Sequence, residues 1–337
     1  MPPFRSALIG AGQMGQAWAK NLRDCADVQL VGWVDLDADL AAASIDKHQL
    51  AGVKPFGDIH RALAELSLDF VIDVTVPAAH RDITLAALSA GCAVLGEKPM
   101  SDSMSTAREM VAASEKAGKL YMVSQSRRYD PNAYAFADLI RQHVGSLGVL
   151  TSDFFLAPHF GGFRDVMPHV LLADMAIHTF DSARQISGAD AVSVYCEEFN
   201  PAWSWYSADA AAVAIFEMTG GLRYIYRGCW CAEGPATSWQ AQWRAHGPTG
   251  GATWDGDHAP VAKRTINNEG FHRKTELCEA KVVDSPKGIA GSLREFIDAL
   301  RTGTTPQGEC HDNLKSLAMV YAAIESAQTK QRVDMRL

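Results

Sequence analysis

The chain has 337 residues, of which 47% are hydrophobic and 21% are charged, and its formal net charge is −8. This composition can fill one or two packed cores and excludes the disordered and fibrous classes, so we expect two domains. A negative net charge without a clustered basic face excludes the electrostatic footprint of nucleic-acid binding. The partner is therefore expected to be a small molecule.

Location and metal content follow from apolar runs and cysteine spacing. No apolar run approaches the ~20 residues that span a bilayer, and residues 1–5 lead into a short apolar strand rather than a signal-peptide core. The seven cysteines lack the spacing of a disulfide framework. Cys229 and Cys231 could form half of a metal site, but no second pair lies at zinc-site spacing. We expect a cytoplasmic protein without membrane contact and with no bound metal.

The first half of the chain alternates short apolar runs with helical spacing. Such alternation predicts an α/β fold with a doubly wound parallel sheet, because helices that cover both faces leave the strands apolar on both sides. The predicted strands are 7–9, 28–34, 70–74, 93–95 and 120–123. The expected architecture is a Rossmann domain.

A glycine-rich loop follows the first predicted strand and precedes a helical pattern. Gly10 permits a tight turn, Gly12 lets a pyrophosphate approach backbone N–H groups, and Gly15 lets helix and strand pack closely. The complete loop is Gly10-Ala11-Gly12-Gln13-Met14-Gly15. This setting, a strand before the glycines and a helix after them, predicts a dinucleotide site.

Asp35 lies twenty residues past Gly15, at the end of the second predicted strand. There its carboxylate is expected to accept hydrogen bonds from the adenosine ribose hydroxyls and to repel a 2′-phosphate. No Lys or Arg occurs between residues 36 and 46 to neutralise such a phosphate. NAD is thus favoured over NADP. The structural alternative makes Asp35 the N-cap of the next helix.

Three further segments carry a family resemblance that extends over nearly the whole chain. They are residues 73–80 (DVTVPAAH), 96–99 (GEKP) and 174–178 (DMAIH). In combination they resemble the Gfo/Idh/MocA oxidoreductases, the glucose-fructose oxidoreductase and inositol 2-dehydrogenase type. The resemblance implies an NAD-dependent enzyme with a Rossmann domain followed by an α+β domain.

The resemblance also implies roles for residues of the first half. Thr75, Pro77 and His80 should line the dinucleotide cleft, and Glu97 and Lys98 should lie near the nicotinamide ribose and ring. Both segments follow predicted strands, and the carboxyl ends of parallel strands form the ligand crevice of an open sheet.

Lys98 is the predicted catalytic cation. An ammonium at this edge can orient a substrate hydroxyl and stabilise the oxygen charge that develops during hydride transfer. Pro99 keeps the lysine backbone extended, and the bond between the two residues is either cis or trans. The alternative is a solvated lysine on a loop.

The strand-helix rhythm stops near Ser124, so we predict a Rossmann domain over residues 1–124 and an α+β domain over residues 125–337. The family similarity puts Gln125 at the cofactor and Arg128 near the substrate. Arg128 could equally pair with an acidic residue.

The second half is predicted to contain a large, open, mainly antiparallel sheet. Its strands are 149–156, 191–199, 211–218, 222–231 and 239–246. Alternation places Leu222, Tyr224, Tyr226 and Trp230 on one apolar face. That face is either a covered core or a subunit interface, and we expect a homodimer or homotetramer.

A helix between the first two of these strands holds Asp174 and His178, four residues apart and on one face, with Asp181 on nearly the same stripe. The resemblance makes His178 the acid or base and Asp174 the residue that positions it or the substrate. An imidazole suits proton transfer near neutral pH. Without the family context, a structural Asp-His pair would be the better interpretation.

Arg164 and His169 lie upstream of this helix and are plausible substrate contacts, although either could face solvent in a long loop. The function indicated is NAD(H)-dependent hydride transfer at a secondary alcohol carbon of a sugar, polyol or inositol-like substrate. Two alternatives stay open, an NAD-retaining glycosidase that uses transient oxidation and a non-catalytic NAD or sugar sensor.

Overall fold

A computed structural model describes residues 2–337 and divides them into two compact units. The first unit comprises residues 2–126 and 289–314, and the second comprises residues 127–288 and 315–337.

The helices and strands follow one another in chain order as β1 (Phe4–Ile9), α1 (Gln13–Arg23), β2 (Val28–Val34), α2 (Ala38–Lys47), β3 (Lys54–Phe56), α3 (Ile59–Glu65), β4 (Phe70–Asp73), α4 (Pro77–Ser89), β5 (Ala93–Glu97), α5 (Met104–Ala117), β6 (Tyr121–Ser124), α6 (Pro131–Leu139), β7 (Val149–Phe155), α7 (Ile177–Ser187), β8 (Ala191–Phe199), β9 (Ala211–Met218), β10 (Arg223–Cys229), β11 (Gln242–Gly247), β12 (Gly250–Trp254), β13 (Val261–Thr265), β14 (Thr275–Glu279), α8 (Gly288–Thr302), α9 (Cys310–Thr329) and β15 (Val333–Asp334).

The first unit contains a six-stranded parallel sheet in the order β3-β2-β1-β4-β5-β6. β1 and β4 lie at its centre, and β4 is buried along its whole length. This confirms the predicted Rossmann architecture. β3 escaped the sequence analysis because it has three residues, two of them exposed, and so has no apolar run.

Residues 289–314 pack with the first unit, although the predicted division assigned them to the second domain. The ring of Phe296 on α8 meets Phe70 of β4 edge to face, with centroids 5.1 Å apart. Arg301 of the same helix donates to Asp27 at 2.7 Å, and the Val123 N–H donates to the Gly308 carbonyl. The apolar face of α8 was recognisable in the sequence, but the surface that it covers was not.

The second unit contains a nine-stranded sheet in the order β14-β13-β12-β11-β7-β10-β9-β8-β15. Its pairs are antiparallel except for β7 with β10, which confirms the mainly antiparallel sheet. Four of its strands, β12 to β15, are additional to those predicted.

One face of this sheet is a covered core. Phe180 of α7 packs on Phe216 and Tyr226, with ring centroids 4.8 and 5.1 Å away, and Tyr224 is also fully buried. The apolar face that includes Tyr224 and Tyr226 is therefore not a subunit interface, because α7 of the same chain covers it. The opposite face leaves Val213 and Ile215 exposed. Across residues 2–337, no helix combines the length and the apolarity that a membrane crossing requires.

Candidate active site

The glycine loop joins β1 to α1 in the first unit. Gly10 adopts a φ of +104°, which favours glycine, and a Cβ on Gly15 would lie 2.2 Å from the Gly10 carbonyl oxygen. Gln13 and Met14 begin α1 on its exposed side, and the first turn of that helix holds no acidic residue. Its positive end is thus open to an anion such as a pyrophosphate.

Asp35 follows β2 and is hydrogen-bonded to this loop. Its carboxylate accepts hydrogen bonds from the Ala11 N–H at 2.7 Å and from the Asp37 N–H at 3.0 Å. Asp37 caps α2 by accepting from the backbone of its first turn. The alternative reading of Asp35 as the helix cap is therefore wrong.

Adjacent strand ends bring the other first-unit candidates to the same edge. Ile9 pairs with Asp73 and Asp73 with Gly96, so the residues that follow β1, β4 and β5 are neighbours. Asp73 accepts from both the N–H and the hydroxyl of Thr75, and burial raises the pKa of its carboxyl.

His80, on α4, connects two of these loops. Its Nδ1 lies 3.1 Å from the Pro99 carbonyl oxygen and its Nε2 lies 3.2 Å from that of Thr75. The ring is buried. Pro77 opens α4 at a position where its missing N–H costs nothing. His80 thus holds the β4-α4 loop against the loop after β5.

Glu97 and Lys98 lie at the end of β5. The buried Glu97 carboxylate accepts from the Trp18 indole N–H at 2.8 Å and from the Lys98 N–H at 3.1 Å. Lys98 is half-buried, and its bond to Pro99 is cis. The lysine backbone is thereby tied to a residue that α1 holds in place.

Burial raises the pKa of the Glu97 carboxyl above its ordinary value of 4.5. The folded chain then holds this proton over a pH range in which the unfolded chain has released it. The resulting stability is fully present below pH 4.5 and is lost as the pH rises through the folded pKa. We expect Glu97→Gln to flatten the decline of unfolding free energy with rising pH, measured by urea denaturation between about pH 5 and about pH 8. An unchanged slope would contradict a raised pKa of the Glu97 carboxyl.

Gln125 is buried at the end of the first unit, and both atoms of its side-chain amide lack a hydrogen-bond partner within residues 2–337. A buried amide normally finds partners, so these atoms are suited to a ligand. Its predicted role at the cofactor stays a prediction.

Asp174 and His178 belong to the second unit. Asp174 lies in a π-helical turn, Leu171–Ala176, which runs directly into α7, so the single predicted helix has two parts. Such turns occur frequently at functional sites. His178 is buried in the first turn of α7.

Arg164 holds Asp174 through an Nε–Oδ2 hydrogen bond of 2.7 Å. Its guanidinium also lies over the rings of Phe160 and Phe163, 5.0 and 4.7 Å from their centroids. The structure shows Arg164 bound to Asp174, and its predicted contact with the substrate stays a prediction. The Nε–Oδ2 hydrogen bond fixes the orientation of the Asp174 carboxylate within the second unit.

Arg128 forms a buried bidentate pair with Asp181, both bonds being 2.7 Å long. The Ser316 hydroxyl donates to the same carboxylate. The pairing with an acidic residue that the sequence left open is therefore the observed one. Asp181, which the sequence placed near the catalytic stripe, is occupied structurally.

His169, the remaining substrate candidate, pairs with Glu198 through Nδ1 at 2.5 Å, and its Nε2 lies 3.3 Å from Gln328. Its φ is +54°, and its carbonyl accepts from Ala173 in the π-helical turn. The ring is thus engaged within the second unit. His169 helps to anchor the turn that carries Asp174.

The chain matches two family models. Residues 4–125 match the model described as an oxidoreductase family with an NAD-binding Rossmann fold, and residues 161–253 match a GFO/IDH/MocA C-terminal domain. The chain belongs to the GFO/IDH/MocA oxidoreductase family. It is accordingly an NAD-dependent oxidoreductase.

Two curated relatives are similar to this chain over nearly their full length. A D-apiose dehydrogenase from Paraburkholderia graminis is 26% identical over 99% of this chain and 90% of its own. A myo-inositol 2-dehydrogenase from Thermotoga maritima is 23% identical over 98% of both chains. Among solved structures, an Agrobacterium radiobacter oxidoreductase in complex with NAD⁺, L-tartaric acid and magnesium superposes with a TM-score of 0.86, at 21% identity and 98% coverage of both chains.

The first unit of this GFO/IDH/MocA oxidoreductase fits a dinucleotide. Gly15 leaves no room for a Cβ beside Gly10, the first turn of α1 is free of acidic side chains, and Asp35 stands at the end of β2. These residues would hold the pyrophosphate and the adenosine ribose.

Two cysteine-containing groups lie apart from these residues. The sulfurs of Cys229 and Cys231 are 3.6 Å apart in the second unit. In the described part of the chain, one group of potential metal ligands is found, Glu309, Cys310 and His311, and these residues are hydrogen-bonded to one another. Neither group belongs to the candidate site.

The sequence analysis missed Arg127 and Tyr206. Arg127 interacts electrostatically with Asp174, and the Tyr206 hydroxyl lies buried beside the Trp205 indole. Burial, with Asp165 and Asp174 nearby, raises the pKa of Tyr206 to about 12. The paired arginines of the Arg-Arg-Tyr segment were a signal, but the sequence could not say which of them was already occupied.

Proposed function

We propose that this oxidoreductase is an NAD(H)-dependent dehydrogenase that acts on a secondary alcohol carbon of a sugar, polyol or inositol-like substrate. The observation that carries the proposal is the position of Lys98, which follows β5 at the sheet edge shared with the glycine loop. Ligands of open α/β sheets bind at that edge. The D-apiose and myo-inositol dehydrogenases among the relatives support the substrate class.

The proposed roles follow from the chemistry of each side chain. Bound nicotinamide supplies the hydride acceptor. Lys98 stabilises negative charge on the substrate oxygen. His178 takes the hydroxyl proton during oxidation and returns it during reduction. Asp174, held by Arg164, orients the substrate or the imidazole.

The test incubates the protein and NAD⁺ with a panel of inositols, aldoses, deoxysugars, sugar acids and amino sugars. Formation of NADH is measured by its absorbance. Turnover of one class supports the proposal and names that class. Release of a chromogenic aglycone without net NADH would favour the glycosidase alternative. Tight NAD⁺ binding without any turnover would favour a sensor.

We also propose that NAD is preferred over NADP, because the Asp35 carboxylate would repel a 2′-phosphate. The ratio of the NADP dissociation constant to the NAD dissociation constant is expected to fall by about tenfold or more in Asp35→Ser. The variant should bind NAD more weakly and NADP more tightly than wild type does. Calorimetric titration of both dinucleotides measures the ratio. Asp37→Ser, which alters the α2 cap, is the control and should leave the ratio unchanged. An equal ratio in wild type and Asp35→Ser would remove the basis of the preference.

A homodimer or homotetramer is the proposed assembly. The face of the nine-stranded sheet opposite α7 exposes Val213 and Ile215, with Phe199 and Leu277 also exposed on its strands. Apolar surface of this kind is suited to a symmetric contact. Native mass measurement is expected to give a multiple of the monomer mass, and a monomer at micromolar concentration would refute it. Cytoplasmic location stays an expectation from the sequence.

A further inference from the structure

Four arginines of the second unit are buried or half-buried, and three of them pair with a carboxylate. The pairs are Arg128 with Asp181, Arg164 with Asp174, and Arg184 with Asp190. The fourth, Arg127, has neither a hydrogen bond nor an ion pair in the part of the chain that the structure describes. Arg127 is half-buried, and its nitrogens are not among the buried atoms that lack a partner, so the guanidinium can still be reached by an anion.

Arg127 and Arg128 are neighbours in one 3₁₀ turn, Ser126–Tyr129, but they have different surroundings. Arg128 is saturated by Asp181. The guanidinium carbon of Arg127 lies 5.6 Å from the centroid of the fully buried Phe154 ring. Burial lowers the pKa of Arg127 to about 10, which leaves it charged at neutral pH. The turn therefore presents one occupied and one unoccupied cation.

The acidic group that influences Arg127 is Asp174, and its attraction counteracts the effect of burial on the pKa of Arg127. That carboxylate is already held by Arg164 at 2.7 Å. Two guanidinium groups thus interact with the Asp174 carboxylate. Asp165, the other carboxylate near Tyr206, is not among the groups that influence the pKa of Arg127. The buried hydroxyl of Tyr226, which also influences Arg127, has no hydrogen-bond partner within residues 2–337.

We propose that Arg127 binds a carboxylate of the substrate, so that the substrate is a polyhydroxy carboxylic acid rather than a neutral sugar or polyol. A guanidinium fork matches the two oxygens of a carboxylate, and one negative charge balances the one uncompensated positive charge. A phosphate carries more negative charge than one guanidinium balances. The inference rests on the proposed function and narrows its substrate class.

The carboxylate is recognised and does not react. In the oxidative direction, a secondary alcohol of the acid becomes a ketone, its hydride passes to NAD⁺ to give NADH, and its hydroxyl proton passes to His178. Arg127 is in this scheme a specificity-determining residue.

Equilibrium binding tests the assignment without requiring turnover. Each acid is titrated against its neutral counterpart into NAD⁺-saturated protein by calorimetry, with D-gluconate against D-glucitol and D-galactonate against galactitol, and D-glucitol 6-phosphate serves as the phosphate probe. We expect wild type to bind at least one acid about tenfold to a hundredfold more tightly than its polyol. Arg127→Met should abolish that preference while it changes polyol affinity by less than about threefold, and Arg127→Lys should retain part of it.

Arg244→Met is the matched control, because Arg244 is an exposed arginine on β11 and its loss removes the same charge from the same unit. It should keep the full preference. Equal affinities for acid and polyol in wild type, a preference for the phosphate, or a preference that survives Arg127→Met would each overturn the proposal. A carboxylate preference that depends on Arg127 in a protein without turnover would instead sustain the inference while the dehydrogenase function fails.

Discussion

Replacement of Lys98 by Met is expected to lower kcat by about 10²–10³-fold, because an ammonium that stabilises developing oxygen charge is worth that much in rate. Dinucleotide affinity should change by less than about threefold, since the phosphates and the adenosine ribose are assigned to other residues. The measurements are NADH formation with the substrate identified by the panel and calorimetric titration of NAD⁺. Lys116→Met, which removes an exposed lysine of the last turn of α5, is the control.

The same kinetic measurements test the role of His178. As a single variant, His178→Ala should lower kcat by about 10²–10⁴-fold. It should also abolish the pH dependence that the imidazole imposes on kcat/KM. The double variant is expected to be little worse than the poorer single variant, because the two groups act on one step. A Lys98→Met enzyme that keeps half of the wild-type kcat would contradict the assigned role.

The second large effect concerns stability. Asp181→Ala is expected to lower the free energy of unfolding by about 3–5 kcal/mol, because it leaves the Arg128 guanidinium charged and buried without its partner. Asp153→Ala is the matched control, since Asp153 makes an equally short bidentate pair with Arg227 in the same unit, but that arginine is exposed. Exposed pairs contribute at most about 1 kcal/mol.

Urea denaturation measures both variants. The double variant Arg128→Met/Asp181→Leu should recover much of the loss, because it removes the isolated charge together with its partner. Equal destabilisation by Asp181→Ala and Asp153→Ala would show that burial does not govern the strength of the Arg128 pair.

The sheet of the first unit could be predicted because its central strands are buried on both faces and therefore appear as apolar runs. The missed strands lack that signal. β14 is exposed or half-exposed at every position, and β15 has only two residues, so neither carries a hydrophobic pattern. The placement of residues 289–314 depends on contacts such as Phe296 with Phe70, which are remote in the chain and leave no local mark.

The glycine loop of the candidate site could be predicted from the sequence, but the contacts among its side chains could not. Gly10 and Gly15 occupy positions that only glycine fills easily, so spacing alone identified the loop. The hydrogen bond from Ala11 to Asp35 and the pairing of Arg164 with Asp174 depend on tertiary approach. Arg127 and Arg128 are chemically identical neighbours, and only the position of Asp181 shows which of them is satisfied.

The first unit is discontinuous along the chain, because residues 289–314 complete it after the whole of 127–288 has intervened. During synthesis, the ribosome releases β1 to β6 long before α8, so the surface around Phe70 waits for its cover until most of the polypeptide has emerged. A fragment that stops at residue 126 would keep this surface exposed and would be prone to aggregation. Adding residues 289–314 as a separate peptide should reduce the aggregation of such a fragment. In the intact chain, the same segment would cover this surface once it has been synthesised.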